Sequence, residues 1–226
     1  AEDSVACVPA YITEAISSCT VFFAENERTT RRFFKQLWKY HLPGQDIIID
    51  NYEWVNIKED NAAVDTFRAH LKKGSTIGII SEAGCPGVAD PGQTLIAVAQ
   101  EMNVKIKPLV GPSSILLALM ASGMNGQTFQ FAGYLPIDVQ QRSKTIKELE
   151  AESKKKNCTQ IFIETPYRNN QLIETLLKTC HPNTRLCIAV NITGKDEWIK
   201  TMTISSWQKN KPDIHKQTAI FLLYAF

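Results

Sequence analysis

Short runs of β-branched and aromatic residues alternate along the chain with stretches whose apolar positions recur every three or four residues. The runs at 20–24, 47–50, 76–80, 104–109, 127–132, 159–163, 185–190 and 218–224 predict strands. Helical spacing lies between them at 30–40, 61–73, 94–102, 113–122, 142–153 and 169–179, the last stopped by His181-Pro182. Strands and helices in alternation predict an α/β protein. The pattern changes near Val110-Gly111-Pro112. Before it the order is regular; after Lys195 two β-like stretches, 197–204 and 218–224, enclose only a short helix signal. We therefore expect two α/β domains, 1–110 with a mostly parallel sheet and 111–226 with a mixed one.

Composition narrows the function classes. The 226 residues are 44% hydrophobic and 21% charged, as in an ordinary soluble globular protein. Lys and Arg number 25 against 23 Asp and Glu, so the formal charge of +2 gives no overall field for nucleic acid, and any such contact must come from a local patch. The longest apolar runs, 115–121 and 219–226, fall short of the roughly 20 residues of a membrane span, and no membrane segment is expected. The six cysteines form no C-x-x-C pair, which reads as reduced thiols in a cytoplasmic protein. Cys180-His181 with Cys187 lacks a second ligand pair, so no metal is expected. Lys154-Lys155-Lys156 reads as a solvated loop.

Two segments carry candidate chemistry. After a predicted buried strand ending at Ile80, the stretch Ser81-Glu-Ala-Gly-Cys-Pro-Gly-Val-Ala-Asp-Pro-Gly92 holds glycines that let backbone N–H groups approach a ligand and carboxylates that can receive ammonium or ribose hydroxyls. The same Gly and Pro pattern also shapes an irregular crossover. Neither G-x-G-x-x-G nor G-x-x-x-x-G-K-[ST] occurs, which disfavours a usual dinucleotide site or P-loop. A second junction, Pro108-Leu-Val-Gly-Pro-Ser-Ser114, follows the next predicted strand, and its serines can cap a helix or offer hydroxyls to a ligand. On the helix at 30–40, Arg28, Arg31 or Arg32, Lys35 and Lys39 form one basic face opposite Phe33, Phe34, Leu37 and Trp38. Such a row is either a solvated face or a contact for RNA phosphates.

SEAGCPGVADPG, followed by LVGPSSILLALMASGM and FQFAGYLP, resembles the tetrapyrrole methylase superfamily. Within it the chain is similar to the ribosomal RNA small-subunit 2′-O-ribose methyltransferases. Ala24-Glu-Asn-Glu-Arg-Thr-Thr30 resembles that branch's A-E-D-T-R-x-T, and Ile161-Phe-Ile-Glu-Thr-Pro-Tyr-Arg168 its F-Y-E-S-P-H-R. There are departures: the family's opening strand and P-x-G loop are not in this sequence, Glu82 stands for the usual Asp, and Ala189-Val-Asn-Ile-Thr-Gly194 replaces A-R-E-L-T-K.

The resemblance implies two α/β domains with S-adenosylmethionine in a cleft between them. Carried over by position, Glu82, Ala83, Gly84, Val88, Ser113 and Ser114 meet its methionine end. Tyr134, Leu135, Pro166, Asn191, Ile192, Thr218 and Ala219 surround adenine and ribose. For a ribose 2′-hydroxyl acceptor, the catalytic candidates are Glu25 and Glu164, with Arg28 beside them, although either carboxylate can instead form a salt bridge with Arg28 or Arg168. Arg28, Arg31 and Arg168 are the candidate RNA contacts. A cytoplasmic homodimer acting on ribosomal RNA or the small ribosomal subunit is expected. Two alternatives stand beside it: a methylase of corrin or another tetrapyrrole, and a non-catalytic S-adenosylmethionine-binding module, the latter suggested by the altered AVNITG segment.

Overall fold

Val-Phe-Phe-Ala at 21–24 is buried at every position, which suits only a strand covered on both faces. The computed structural model describes residues 2–57 and 61–226 and divides them into two compact units, Ala1–Ser113 and Ser114–Phe226. In unit 1 a helix α1 (Ile12–Ser17) leads into β1 (Val21–Ala24), α2 (Glu27–His41), β2 (Glu53–Asn56), α3 (Asn61–Lys72), β3 (Ile77–Ile80) and α4 (Gly92–Glu101). The three strands are parallel in the order β2-β1-β3. Alternate residues of β1 serve two cores. Phe22 packs with Phe34, Leu37 and Trp38 of α2 and stacks on Trp54 at 5.3 Å. Val21 and Phe23 pack with Phe67 of α3 and with Leu95 and Val98 of α4. Gly78 is required beside them, since a Cβ there would lie 2.3 Å from the Phe22 ring.

Unit 2 runs α5 (Ser114–Ser122), β4 (Phe129–Tyr134), α6 (Val139–Lys156), β5 (Thr159–Ile163), α7 (Asn169–Thr179), β6 (Arg185–Val190), β7 (Trp198–Thr203), α8 (Ile204–Lys209) and β8 (Ala219–Tyr224). Its sheet has the order β4-β5-β8-β6-β7, with β4 and β5 parallel and the other neighbours antiparallel. The period of two divides β6 cleanly: Leu186, Ile188 and Val190 join the core under α6, α7 and α8, while Cys187 and Ala189 meet Ala118 and Leu119 of α5. Cys180 and Cys187 pack as small hydrophobes, and burial pushes the pKa of both thiols upward.

The α/β class and the mixed second sheet agree with the sequence pattern, and four local expectations need correction. Residues 47–50 form no strand: Ile49–Asn51 is a 3-10 turn, and the strand is Glu53–Asn56. Residues 104–107 alternate half-buried and exposed as a strand would, but 104–109 join no ladder among the described residues. β3 is a half-buried edge strand rather than a buried one, because no strand among the described residues pairs with its outer side. Lys154-Lys155-Lys156 is the last turn of α6, where cations complement the helix dipole, and not a loop.

Candidate functional site

In unit 1 the parallel strands bring three chain segments to one sheet edge. Ala24 pairs with Asn56 and Ile80, so Glu25, Asn56 and Ser81 follow one another across that edge. Glu25 Oε1 accepts the backbone N–H of Glu82 at 2.9 Å, and the Asn56 side-chain amide donates to the Glu25 carbonyl at 3.0 Å. The Thr29 hydroxyl donates to the Glu82 carboxylate. Asn26 caps α2 by accepting from Arg28 N at 3.0 Å and Thr29 N at 3.3 Å. The strand-following loop is therefore tied to the start of α2 by both of its acidic neighbours.

The glycine-rich loop is organised from within. Asp90 Oδ1 accepts from Gly87 N at 2.9 Å and Gly92 N at 2.7 Å. Gly84 and Gly87 hold φ of +74° and +80°, the left-handed region that glycine enters without strain. Glu82, Ala83, Gly84 and Val88 are exposed along this loop. Arg28, Arg31, Arg32 and Lys35 line a concavity of about 710 Å³ together with Glu25, Asn26, Glu27 and Asn56. Arg31 is engaged there: its guanidinium lies 2.8 Å from Glu27 and 3.0 Å from Asp50, and 5.3 Å above the Trp54 ring. That explains why Arg31, expected at the RNA surface, is half-buried instead.

In unit 2 the C-terminal ends of β4, β5 and β6 and the start of β8 share one edge, since Tyr134 pairs with Ile163, Ile163 with Ile220, and Val190 with Ala219. This edge brings together Tyr134, Glu164, Pro166, Asn191, Ile192, Thr218 and Ala219. Leu135 follows Tyr134, but its side chain is packed into the core, which leaves its backbone alone to face a ligand. Glu164 forms the salt bridge that was one of its two expected roles: Oε1 accepts from Arg168 Nη2 at 2.7 Å, Arg168 Nε at 2.9 Å and Thr165 N at 2.6 Å. Glu164 Oε2 and Asn169 Oδ1 are buried there with no partner among the described residues. Thr218 Oγ1 donates to Asn191 Oδ1 at 3.1 Å, Asn191 Nδ2 to Gln217 Oε1 at 3.0 Å, and Asn169 Nδ2 to the Gln217 carbonyl at 2.6 Å. Ser113 and Ser114 mark the last residue of unit 1 and the first of α5.

Sequence reasoning missed Thr29, Asn56, Asn169 and Gln217. Asn26 had a signal, an Asn directly before a helical pattern, whereas the others are polar residues with no spacing rule. Among the described residues no group of three or more His, Cys, Asp or Glu is placed to hold a metal ion, and no helix is long and apolar enough to cross a membrane.

Residues 11–207 match the family model of the tetrapyrrole (corrin/porphyrin) methylases. The chain is 32% identical over 213 residues to the ribosomal RNA small subunit methyltransferase I of Buchnera aphidicola subsp. Schizaphis graminum, covering 93% of this chain and 70% of that protein. It spans about half the length of other curated relatives of the same name. Among solved structures, the methyltransferase CobJ superimposes with a TM-score of 0.62 at 15% identity, over 97% of this chain and 88% of that one. The uroporphyrin-III C-methyl transferase of Thermus thermophilus complexed with S-adenyl homocysteine gives 0.54 at 12%, over 97% and 91%. At these identities the structures share the fold.

Proposed function

This chain belongs to the tetrapyrrole (corrin/porphyrin) methylase family, and from that premise we propose that it transfers a methyl group from S-adenosylmethionine to a ribose 2′-hydroxyl of small-subunit ribosomal RNA. The observation that carries the acceptor is the likeness to ribosomal RNA small subunit methyltransferase I along 93% of the chain. Support for the cofactor comes from unit 2, where two buried oxygens without partners among the described residues, Glu164 Oε2 and Asn169 Oδ1, suit the amino and hydroxyl donors of an adenosyl group. We assign Tyr134, the Leu135 backbone, Pro166, Asn191, Ile192, Thr218 and Ala219 to the same role. In unit 1 the exposed residues Glu82, Ala83, Gly84 and Val88, with the hydroxyl of Ser113, are assigned to the cofactor as well, as is the hydroxyl of Ser114 at the start of unit 2.

S-adenosylmethionine supplies a methyl group already activated by its sulfonium, so the protein's task is alignment and exclusion of water. The new O–C bond forms as the C–S bond breaks, and the 2′-hydroxyl proton needs an acceptor. Glu25 is the better placed carboxylate for this, since it lines an open concavity whereas Glu164 Oε1 is saturated by Arg168 and Thr165. Arg28 lines the same concavity. Arg168 acts by holding Glu164.

The reading puts the protein with ribosomal particles in the cytoplasm, in keeping with six free cysteines. A homodimer is part of it, supported by Leu116 and Met120, which stand exposed on the apolar helix α5; light scattering at about 25 kDa would contradict it. The deciding experiment offers labelled S-adenosylmethionine to small ribosomal subunits lacking the modification, with corrinoid precursors in parallel. Label in RNA, at a linkage made resistant to alkali by 2′-O-methylation, is expected. Label on the corrinoid alone moves the acceptor to a tetrapyrrole, and no transfer to either, with S-adenosylhomocysteine still bound, leaves a binding module.

A further inference from the structure

Arg28, Arg32, Lys35 and Lys39 stand exposed on α2, while Phe34, Leu37 and Trp38 are buried on its other side. At about 100° per residue the four cations fall within roughly 60° of one another and run about 16 Å along the helix. Among the described residues none of the four forms an ion pair, and no carboxylate stands four residues away on the helix to relieve them. Arg28 with Arg32, and Lys35 with Lys39, are like-charged pairs at i and i+4, a spacing that destabilises a helix. Arg31 differs. It is turned aside to Glu27 and Asp50, its Nε near enough to Glu27 for an ion pair though not aligned for a hydrogen bond. The two carboxylates of the adjoining concavity are likewise engaged, Glu27 by Arg31 and Glu25 by the Glu82 N–H.

We propose that Arg28, Arg32, Lys35 and Lys39 form a track for successive phosphates of the RNA acceptor, with the concavity beside it taking one of its nucleotides. The proposal rests on the RNA reading above and moves the phosphate contacts away from Arg31 and Arg168. An unrelieved row of one sign is offset when phosphates replace its counterions. A protein partner would instead ask for an apolar centre, which this row lacks. Asn26 and Asn56 line the same concavity and offer hydrogen bonds to sugar or base.

The test uses the full chain and unmethylated small ribosomal subunits, with affinity measured across a salt series and S-adenosylhomocysteine affinity measured by calorimetry. Arg32→Ala/Lys35→Ala is expected to lower the slope of log K against log salt by about 1.4 to 1.8, at 0.7 to 0.9 per lost phosphate contact. It should leave S-adenosylhomocysteine affinity within twofold. Lys147→Ala/Lys155→Ala, which removes the same charge from exposed positions on α6, should leave the slope unchanged. A wild-type slope in Arg32→Ala/Lys35→Ala overturns the track while the RNA reading stands. An equal drop in the α6 variant overturns it as a mere net-charge effect. Wild-type protein that binds S-adenosylhomocysteine but no ribosomal particle overturns the track and the RNA acceptor together, and leaves family membership intact.

Discussion

Replacing Arg168 with Ala should cost unit 2 more than replacing its partner Glu164, and the asymmetry follows from where each charge is left. The Glu164 side chain is 0% exposed and that of Arg168 27%. With Arg168 gone, a carboxylate remains inside the protein with the Thr165 N–H as its one remaining donor among the described residues, a loss of about 3–5 kcal/mol. With Glu164→Gln, the guanidinium can turn to water and the amide oxygen still accepts from Thr165, so the loss is about 1–2 kcal/mol. The double variant Glu164→Gln/Arg168→Ala leaves no buried charge at this position, and should be more stable than Arg168→Ala alone by about 1–3 kcal/mol, a coupling that neighbours of this kind show. Urea unfolding followed by tryptophan fluorescence reads this directly, since Trp198 and Trp207 belong to unit 2. At a slope of about 2 kcal/mol/M, Arg168→Ala lowers the midpoint by about 1.5–2.5 M. Arg168→Ala within about 1 kcal/mol of wild type, or a double variant less stable than Arg168→Ala, would refute the buried-charge account.

Three further outcomes are expected. Asn26→Ala removes the side chain that accepts from Arg28 N and Thr29 N, and should lower stability by about 1 kcal/mol in thermal unfolding; an unchanged midpoint would mean that the cap contributes nothing. Gly92→Ala puts a Cβ 2.6 Å from Asp90 Oδ1 and 3.1 Å from Ile79, so the glycine-rich loop must shift and S-adenosylhomocysteine affinity should fall at least tenfold, whereas Gly84→Ala meets open space and costs only the strain of φ +74°, about 1 kcal/mol. Cys180 and Cys187 have thiols raised by burial, so the unfolded chain ionises first, from about pH 8.5, and stability that is full below that pH declines as pH rises above it; a urea midpoint that rises between pH 8.5 and 10 would contradict the sign.

The sequence pattern located most elements because burial enforced their period. β6 reads as a strand since its alternate residues fill two cores, and α2 as a helix since Phe34, Leu37 and Trp38 fall on one face. It failed where tertiary packing decides. Ile47-Ile48-Ile49 has the composition of a strand, yet the chain turns at Asp50 and pairs instead through Glu53-Trp-Val-Asn56, where Trp54 can stack on Phe22. Residues 104–107 have a strand's alternation without a ladder among the described residues, and alternation alone does not report pairing. The site was visible as motifs, and its wiring was not. Glu25 and Glu82 lie far apart in sequence and meet through a side-chain to backbone bond, and the amide network of Asn169, Asn191 and Gln217 looks in sequence like ordinary surface. The ion pairs of Arg31 set it apart from Arg28 and Arg32, which no helical wheel could do.

The place of β8 has a kinetic consequence. It comes last in the order of strands yet lies in the middle of the second sheet, between β5 and β6. Neither neighbour can complete a ladder until residues 219–224 have been made. At 5–20 residues per second, the roughly 55 residues between β5 and β8 take about 3–11 s to synthesise. Through that interval the apolar edge of Ile161–Ile163 waits for a partner, joined by that of Leu186–Val190 once it has been made, while unit 1 already has its three described strands. Nascent-chain protection by chaperones should therefore centre on unit 2, and substitutions that slow β8 docking should reduce yield well before they reduce equilibrium stability.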